Sequence, residues 1–239
     1  MKLFKNALIY DGTGSKAFKG DILVNEDRIV RTADSIVCED GWEVIDLEGL
    51  SVAPGFIDAH SHNDWFAIKN EPRKYFEPFI RQGITSFVTG NCGLSAVGFD
   101  PDSKYIDKVG GGLFSYNGTT GIYPSVSQFF EAIDRNSPCN IAVLAGHCTA
   151  RASVSGYENR ALTEAERTKM LEIMEDALKE GACGLSLGLM YEPGIYAGID
   201  ELKDVARLCE KYDSPMTVHP RACSAVSMTY PILGRAHLI

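Results

Sequence analysis

The chain has 239 residues, 45% of them hydrophobic, and carries a formal net charge of −9 at pH 7. That length can bury a sizeable core as one large or two unequal domains, and the acidic balance, with no basic patch to neutralise phosphates, argues against nucleic acid or an anionic membrane and for a small-molecule partner. Seven cysteines without a signal peptide or a Cys-x-x-Cys pair point to reduced thiols in the cytoplasm, and no apolar run is long enough to cross a bilayer.

Residues 1–54 read as a small, partial β-sandwich-like domain. Short strand-like runs at 3–10, 22–24, 28–30 and 44–46 are separated by turns at Asp11-Gly12, Asn25-Glu26-Asp27 and Glu48-Gly49. So few residues cover a sandwich poorly, and strands from elsewhere are expected to complete it. Over residues 55–239, strand and helix signals alternate as in a parallel α/β fold. Strands are predicted at 55–60, 84–90, 141–146, 182–187 and 216–219. Ser125 with Gln128 begins a helix that turns Val126, Phe129, Phe130 and Ile133 inward. Thr163-Glu164-Ala165-Glu166 is a capping box; it opens a second helix carrying Met170, Leu171, Met174, Ala177 and Leu178 at helical spacing, and Gly181 ends it. A third starts at Asp200 or a neighbour, with Leu202, Val205, Ala206 and Cys209 as its apolar stripe.

Chemistry gathers at the strand ends. Pro54-Gly55 leads into a strand that finishes in His60-Ser61-His62-Asn63-Asp64. Side chains on an extended chain alternate faces, so His60 and His62 are expected to point the same way and to share one divalent metal. The next strand finishes in Gly90-Asn91-Cys92-Gly93 and aims a thiol outward. A lone buried cysteine is more often a small hydrophobe, but the joint pattern predicts a metal site. Asp58, within its strand, suits orienting a histidine, and Asp64 is either a similar partner or a group that approaches the metal. His147 has three readings: a partner behind the ligands, a substrate-facing group, or a satisfied strand-end histidine. The loop from Cys92 to Pro124, with Gly110-Gly111-Gly112, and the loop carrying Tyr191 and Tyr196 are candidates for substrate selection.

Four blocks stand together in one order: residues 55–64, Gly83-Ile84-Thr85 through Gly90-Asn91-Cys92-Gly93, Gly146-His147-Cys148-Thr149-Ala150-Arg151, and Gly184-Leu185-Ser186-Leu187-Gly188-Leu189 with Tyr191, Pro193-Gly194 and Tyr196-Ala197. In these the chain resembles the N-acyl-D-amino-acid deacylases (D-aminoacylases) of the metal-dependent amidohydrolase superfamily. The resemblance implies an amidohydrolase-type (β/α)8 barrel, here incomplete at about five strands, beside the small β domain. It implies a zinc cofactor held by His60, His62, Cys92 as thiolate and His219, and a water activated to hydrolyse the amide of a small N-acyl-D-amino acid. Arg221, just after His219-Pro220, is the candidate for the substrate carboxylate, with Tyr191, Tyr196, Arg151 and His147 as further substrate-facing residues. Members of the family are about twice as long, so the chain reads as an amino-terminal portion without the sixth-strand histidine and the last-strand aspartate that serves as general base. Alone it is expected to be inactive, with an unpaired barrel edge open to self-association. Two rivals remain. One is a cyclic amidase such as a hydantoinase or dihydroorotase, disfavoured because residues 182–187 contain no lysine to bridge two metals; the other is an inactive metal-binding fragment.

Overall fold

β1 (Lys2–Ile9) is the centre of the amino-terminal sheet. It pairs antiparallel with β2 (Phe18–Asn25) and parallel with β4 (Glu43–Asp46) and β5 (Ser51–Val52), and β3 (Arg28–Ala33) extends the sheet beyond β2. The structure, a computed structural model, describes residues 1–109 and 113–222 and divides into two units, Met1–Gly55 and Phe56–Ile239. The glycine triplet at 110–112 and the apolar terminal run at 230–239 lie outside the described residues. In the first unit a bulge in β1 puts Asn6 at φ 57°, a left-handed conformation that asparagine tolerates. Buried Asp21 accepts hydrogen bonds from the backbone N–H groups of Asn6 at 3.0 Å and Ile36 at 2.9 Å. One carboxylate thus ties the bulge to the chain that follows β3. Leu3, Leu23 and Ile36 form one small apolar cluster, and Ala7, Ile9 and Ile22 another.

Among the described residues of the second unit, five strands lie parallel and in chain order across one sheet: β6 (Phe56–Asp58), β7 (Ile84–Thr89), β8 (Asn140–Gly146), β9 (Gly184–Gly188) and β10 (Met216–His219). Sequential parallel strands with helices between them are the winding of a (β/α) barrel. The helices are α1 (Asp64–Ala67), α2 (Pro72–Ile80), α3 (Val126–Ile133), α4 (His147–Ser155), α5 (Glu164–Lys179) and α6 (Ile199–Lys211). Ser125 caps α3 by accepting from the Gln128 N–H, the Thr163–Glu166 capping box opens α5, and Gly181 takes φ 108° just past the end of α5. Sheet residues Phe87, Val143 and Leu185 are packed in one core with Phe76, Phe129, Met170, Met174 and Val205 from the helices. On the outermost strands, Phe56 and Ile57 of β6 and Met216 and Val218 of β10 stay exposed. No helix among the described residues is long and apolar enough to cross a membrane.

The structure departs from the expected elements at two places beside the strand ends. The strand expected at 55–60 stops at Asp58, so the histidines lie beyond it in a turn. His147, expected at a strand end, opens a helix over residues 147–155; eight of the nine residues are buried, polar and apolar alike, so α4 has no solvent-exposed face and leaves no amphipathic stripe in the sequence.

Candidate metal centre

His60 follows β6 and His219 ends β10, the two outermost strands of the sheet, yet both reach the same sulfur. Cys92 Sγ lies 3.4 Å from His60 Nε2 and 3.5 Å from His219 Nδ1. A flat sheet would hold β7 and β10 roughly 14 Å apart at three strand spacings. Side chains span part of that gap and curvature of the sheet closes the rest. One donor atom from each of His60, His62 and Cys92 falls within 4.8 Å of the others.

Strand alternation does not bring the two histidines together, contrary to the sequence expectation. Their rings meet edge to face, with centroids 6.2 Å apart and planes at 81°, because a turn carries them. The Ser61 N–H donates to the Val88 carbonyl at 3.1 Å, hanging this turn on β7. Asp58 accepts from the backbone N–H of His60 at 3.1 Å; it shapes the turn through the main chain.

The cysteine turn is unusual in its backbone. Gly90, Cys92 and Gly93 have φ of 72°, 56° and 74°. Glycine adopts this left-handed region freely, whereas for cysteine it costs about 1–2 kcal/mol. Such a conformation persists where its surroundings fix it. Ser186 Oγ, fully buried in β9, donates to the Gly90 carbonyl and accepts from the Gly93 N–H at 3.0 Å. Thr217 of β10 donates to Asn91 Oδ1 at 3.2 Å, and the Thr149 N–H donates to the Gly93 carbonyl at 3.0 Å. Space is tight as well. A Cβ on Gly188 would stand 1.9 Å from the Cys92 carbonyl oxygen.

His62 Nδ1 is buried without a hydrogen-bond partner of good geometry among the described residues. Phe114 covers the His62 ring at a centroid distance of 5.2 Å and stacks in turn on Trp65. Burial, followed by the nearby His60, holds His62 below its ordinary pKa; the same two causes in the same order lower His219. Neutral imidazoles are the metal-binding form, and the ring nitrogens of His60 and His62 with the Cys92 sulfur, His219 standing beside them against that sulfur, are a donor set that suits zinc. The residues present therefore fit a zinc ion. Tyr191 brings its hydroxyl to 3.2 Å from His219 Nδ1.

Other predicted residues take different positions. Asp64 is fully buried, its Oδ2 accepting from the Ala96 N–H at 2.7 Å, and burial raises its pKa to about 7. Arg221 donates through Nη1 to the Ile195 carbonyl at 2.8 Å and through Nη2 to the Ala197 carbonyl at 2.6 Å, fastening the loop after β9 to the end of β10. Tyr196 donates to Glu192 in that loop. For His147 and Arg151 the substrate-facing expectation is corrected. Both are 0% exposed; His147 Nε2 and Arg151 Nε meet Glu201 Oε1 at 2.8 and 2.9 Å, and neither presents surface to a substrate. Sequence reasoning missed Glu201, Ser186 and Phe114. Only Ser186 left a signal, as a hydroxyl inside an otherwise apolar buried strand.

The amidohydrolase family is matched over residues 43–220, and the chain belongs to it. Its similarity runs to the D-aminoacylase group. It is 35% identical over 208 residues to an N-acyl-D-aspartate deacylase of Alcaligenes xylosoxydans xylosoxydans, covering 86% of this chain and 40% of that protein. Among solved structures, a D-aminoacylase described with a binuclear metal centre superposes with a TM-score of 0.79 at 30% identity, over 92% of this chain and 45% of the other. An N-acyl-D-glutamate deacylase from Bordetella bronchiseptica, solved with zinc and a phosphonate inhibitor, gives 0.74 at 31% identity over the same shares of the two chains. The chain thus spans less than half the length of these relatives.

Proposed function

We propose that the protein hydrolyses the N-acyl amide bond of N-acyl-D-amino acids at a zinc centre built from His60, His62, Cys92 and His219. The observation that carries this reading is the convergence of donors from three strand ends on Cys92 Sγ, at 3.4 Å from His60 and 3.5 Å from His219. The similarity to deacylases of N-acyl-D-amino acids supports the substrate class. Zinc held there supplies Lewis acidity, lowering the pKa of a water and polarising an amide carbonyl.

The chain's own residues supply the rest. Cys92, as thiolate, offsets the positive charge of the ion while the imidazoles stay neutral. Tyr191, against His219, borders the centre and offers a hydroxyl to a substrate oxygen. Arg221 brings a cation two residues past a ligand, the right charge for the carboxylate of the substrate; any such contact adds to its two loop carbonyls. His147, Arg151 and Glu201 act in this reading by fixing α4 behind the strand ends.

The test is an assay of the zinc-loaded protein, expressed from its complete reading frame, with N-acyl-D-amino acids, N-acyl-L-amino acids and hydantoins. Turnover of the D-acyl series is expected, with little of the L series. Turnover confined to hydantoins would overturn the reading, an outcome disfavoured by the absence of lysine from Gly184–Gly188.

A further inference from the structure

We propose that Ser186 is a positioning residue for Cys92: its hydroxyl locks the Gly90–Gly93 turn in the conformation that presents the sulfur to the metal. The inference rests on the zinc reading above and assigns a role to a residue outside the donor set.

The geometry is specific. β7 and β9 are not neighbours, since β8 lies between them, and their axes should stand roughly 10 Å apart. The turn after β7 must therefore pass over the end of β8 to reach β9. Gly146 permits the crossing, because a Cβ there would stand 2.3 Å from the Gly93 carbonyl oxygen. On the far side, Ser186 pairs with Gly146 in the sheet register and grips both ends of the turn with one oxygen, donating to the Gly90 carbonyl and accepting from the Gly93 N–H. Gly90 and Gly93 flank the four-residue turn, so the two bonds fix its span. Cys92 lies inside that span at φ 56°, a conformation it would leave if released.

Alanine at 186 removes both bonds at once. The Gly93 N–H and the Gly90 carbonyl would each lose a partner in the interior, and the cheapest response is for the turn to rotate toward ordinary backbone angles, carrying Sγ away from His60 and His219. Thr217 still holds Asn91 and the Thr149 N–H still holds Gly93, so the fold has other anchors while the angle of the cysteine does not.

The experiment uses the full chain loaded with Co(II), reading the near-ultraviolet thiolate-to-cobalt absorption and the rate at which a chelator strips the metal. The parent, Ser186→Ala, Ser186→Thr and the core control Met174→Ala are compared. Ser186→Ala should weaken or shift the thiolate band and lower metal affinity about 10- to 100-fold, as loss of a hydrogen bond behind a ligand does. Ser186→Thr, which keeps the hydroxyl, should restore the band, and Met174→Ala should lose stability with the band intact. If Ser186→Ala does not fold, Ser186→Val, which matches Ser186→Thr in shape but lacks the hydroxyl, is read in the same way against Ser186→Thr. A folded variant that lacks the hydroxyl yet keeps the parent's band and an affinity within about twofold of it would overturn the positioning role. A parent with no thiolate band at all would instead overturn the metal reading, and the positioning role with it.

Discussion

Glu201 puts two partners on one oxygen, His147 Nε2 at 2.8 Å and Arg151 Nε at 2.9 Å, and all three side chains are almost wholly buried. Burial by itself would raise the carboxyl pKa; the hydrogen bond and charge of His147, with the Arg151 guanidinium, outweigh it and leave the group below its ordinary value. Removing the carboxylate strands an arginine in the interior. Glu201→Ala is therefore expected to lose about 3–5 kcal/mol of stability, measured by urea unfolding, and Glu201→Gln less because it keeps an acceptor for one partner. A loss for the alanine variant below about 1 kcal/mol would mean that water or a rearranged neighbour solvates Arg151. The sequence discloses His60, His62 and Cys92 because these residue types are rare at strand ends and chemically distinctive. It hides Glu201, since an acid in the first turn of a helix has an ordinary reason to be there, and no local pattern says that residues 147 and 201 touch.

α5 shows what a local signal can support. Thr163 and Glu166 cap it reciprocally, the Glu166 N–H donating to Thr163 Oγ1 at 3.3 Å and the Thr163 N–H to Glu166 Oε2 at 2.8 Å. Arg160 adds a forked pair of bonds at 2.7 Å to the same carboxylate. With Arg160 as the largest cause, the Glu166 pKa falls from 4.5 to about 2. A carboxyl whose folded pKa is depressed stabilises the protein fully above its unfolded value and loses that contribution as pH falls through the folded one. Between pH 4.5 and 2 the parent should therefore lose stability that Glu166→Gln does not. The difference should be about 0.5–1 kcal/mol, because solvent reaches the Arg160 side of the pair. Equal acid limbs for the two proteins in pH-dependent unfolding would show that this pair is fully screened. α3 and α5 are legible for the same local reasons, a side-chain cap at one end and an apolar stripe along one face, and α6 by its stripe alone. α4 is not, because its polar and apolar residues are buried alike, and α1 is a single turn with a reach too short for periodicity. Pro72 at the first position of α2 is a start signal, but Pro78 within the same helix obscures it.

Across the whole second unit, alternation of strand and helix makes the parallel winding readable from sequence, while the curvature of the sheet is not, because it depends on contacts between residues more than a hundred positions apart. Cys92 and His219 are such a pair. Since β6 and β10 are the two edges of the sheet among the described residues, an ion shared by His60, Cys92 and His219 would strap one edge to the other at their carboxyl ends. Those donors come from segments that separate when the chain unfolds, so zinc should bind the folded form far better than the unfolded one. Mass action then requires zinc to stabilise the fold, by about 2.7 kcal/mol when free ion exceeds the dissociation constant a hundredfold. For a chain of this size that corresponds to a rise in Tm of about 5–10 °C. Chelation should reverse the rise, and Cys92→Ser, which keeps the volume but replaces the soft thiolate with a poor donor, should lose most of it. Magnesium, which prefers oxygen ligands in an octahedron, should produce no comparable shift. Thermal unfolding of both proteins with zinc, magnesium and chelator reads all of these together. An equal zinc shift in the parent and in Cys92→Ser would put the ion at other thiols or histidines, and no shift in the parent would mean that the donors around Cys92 do not hold it.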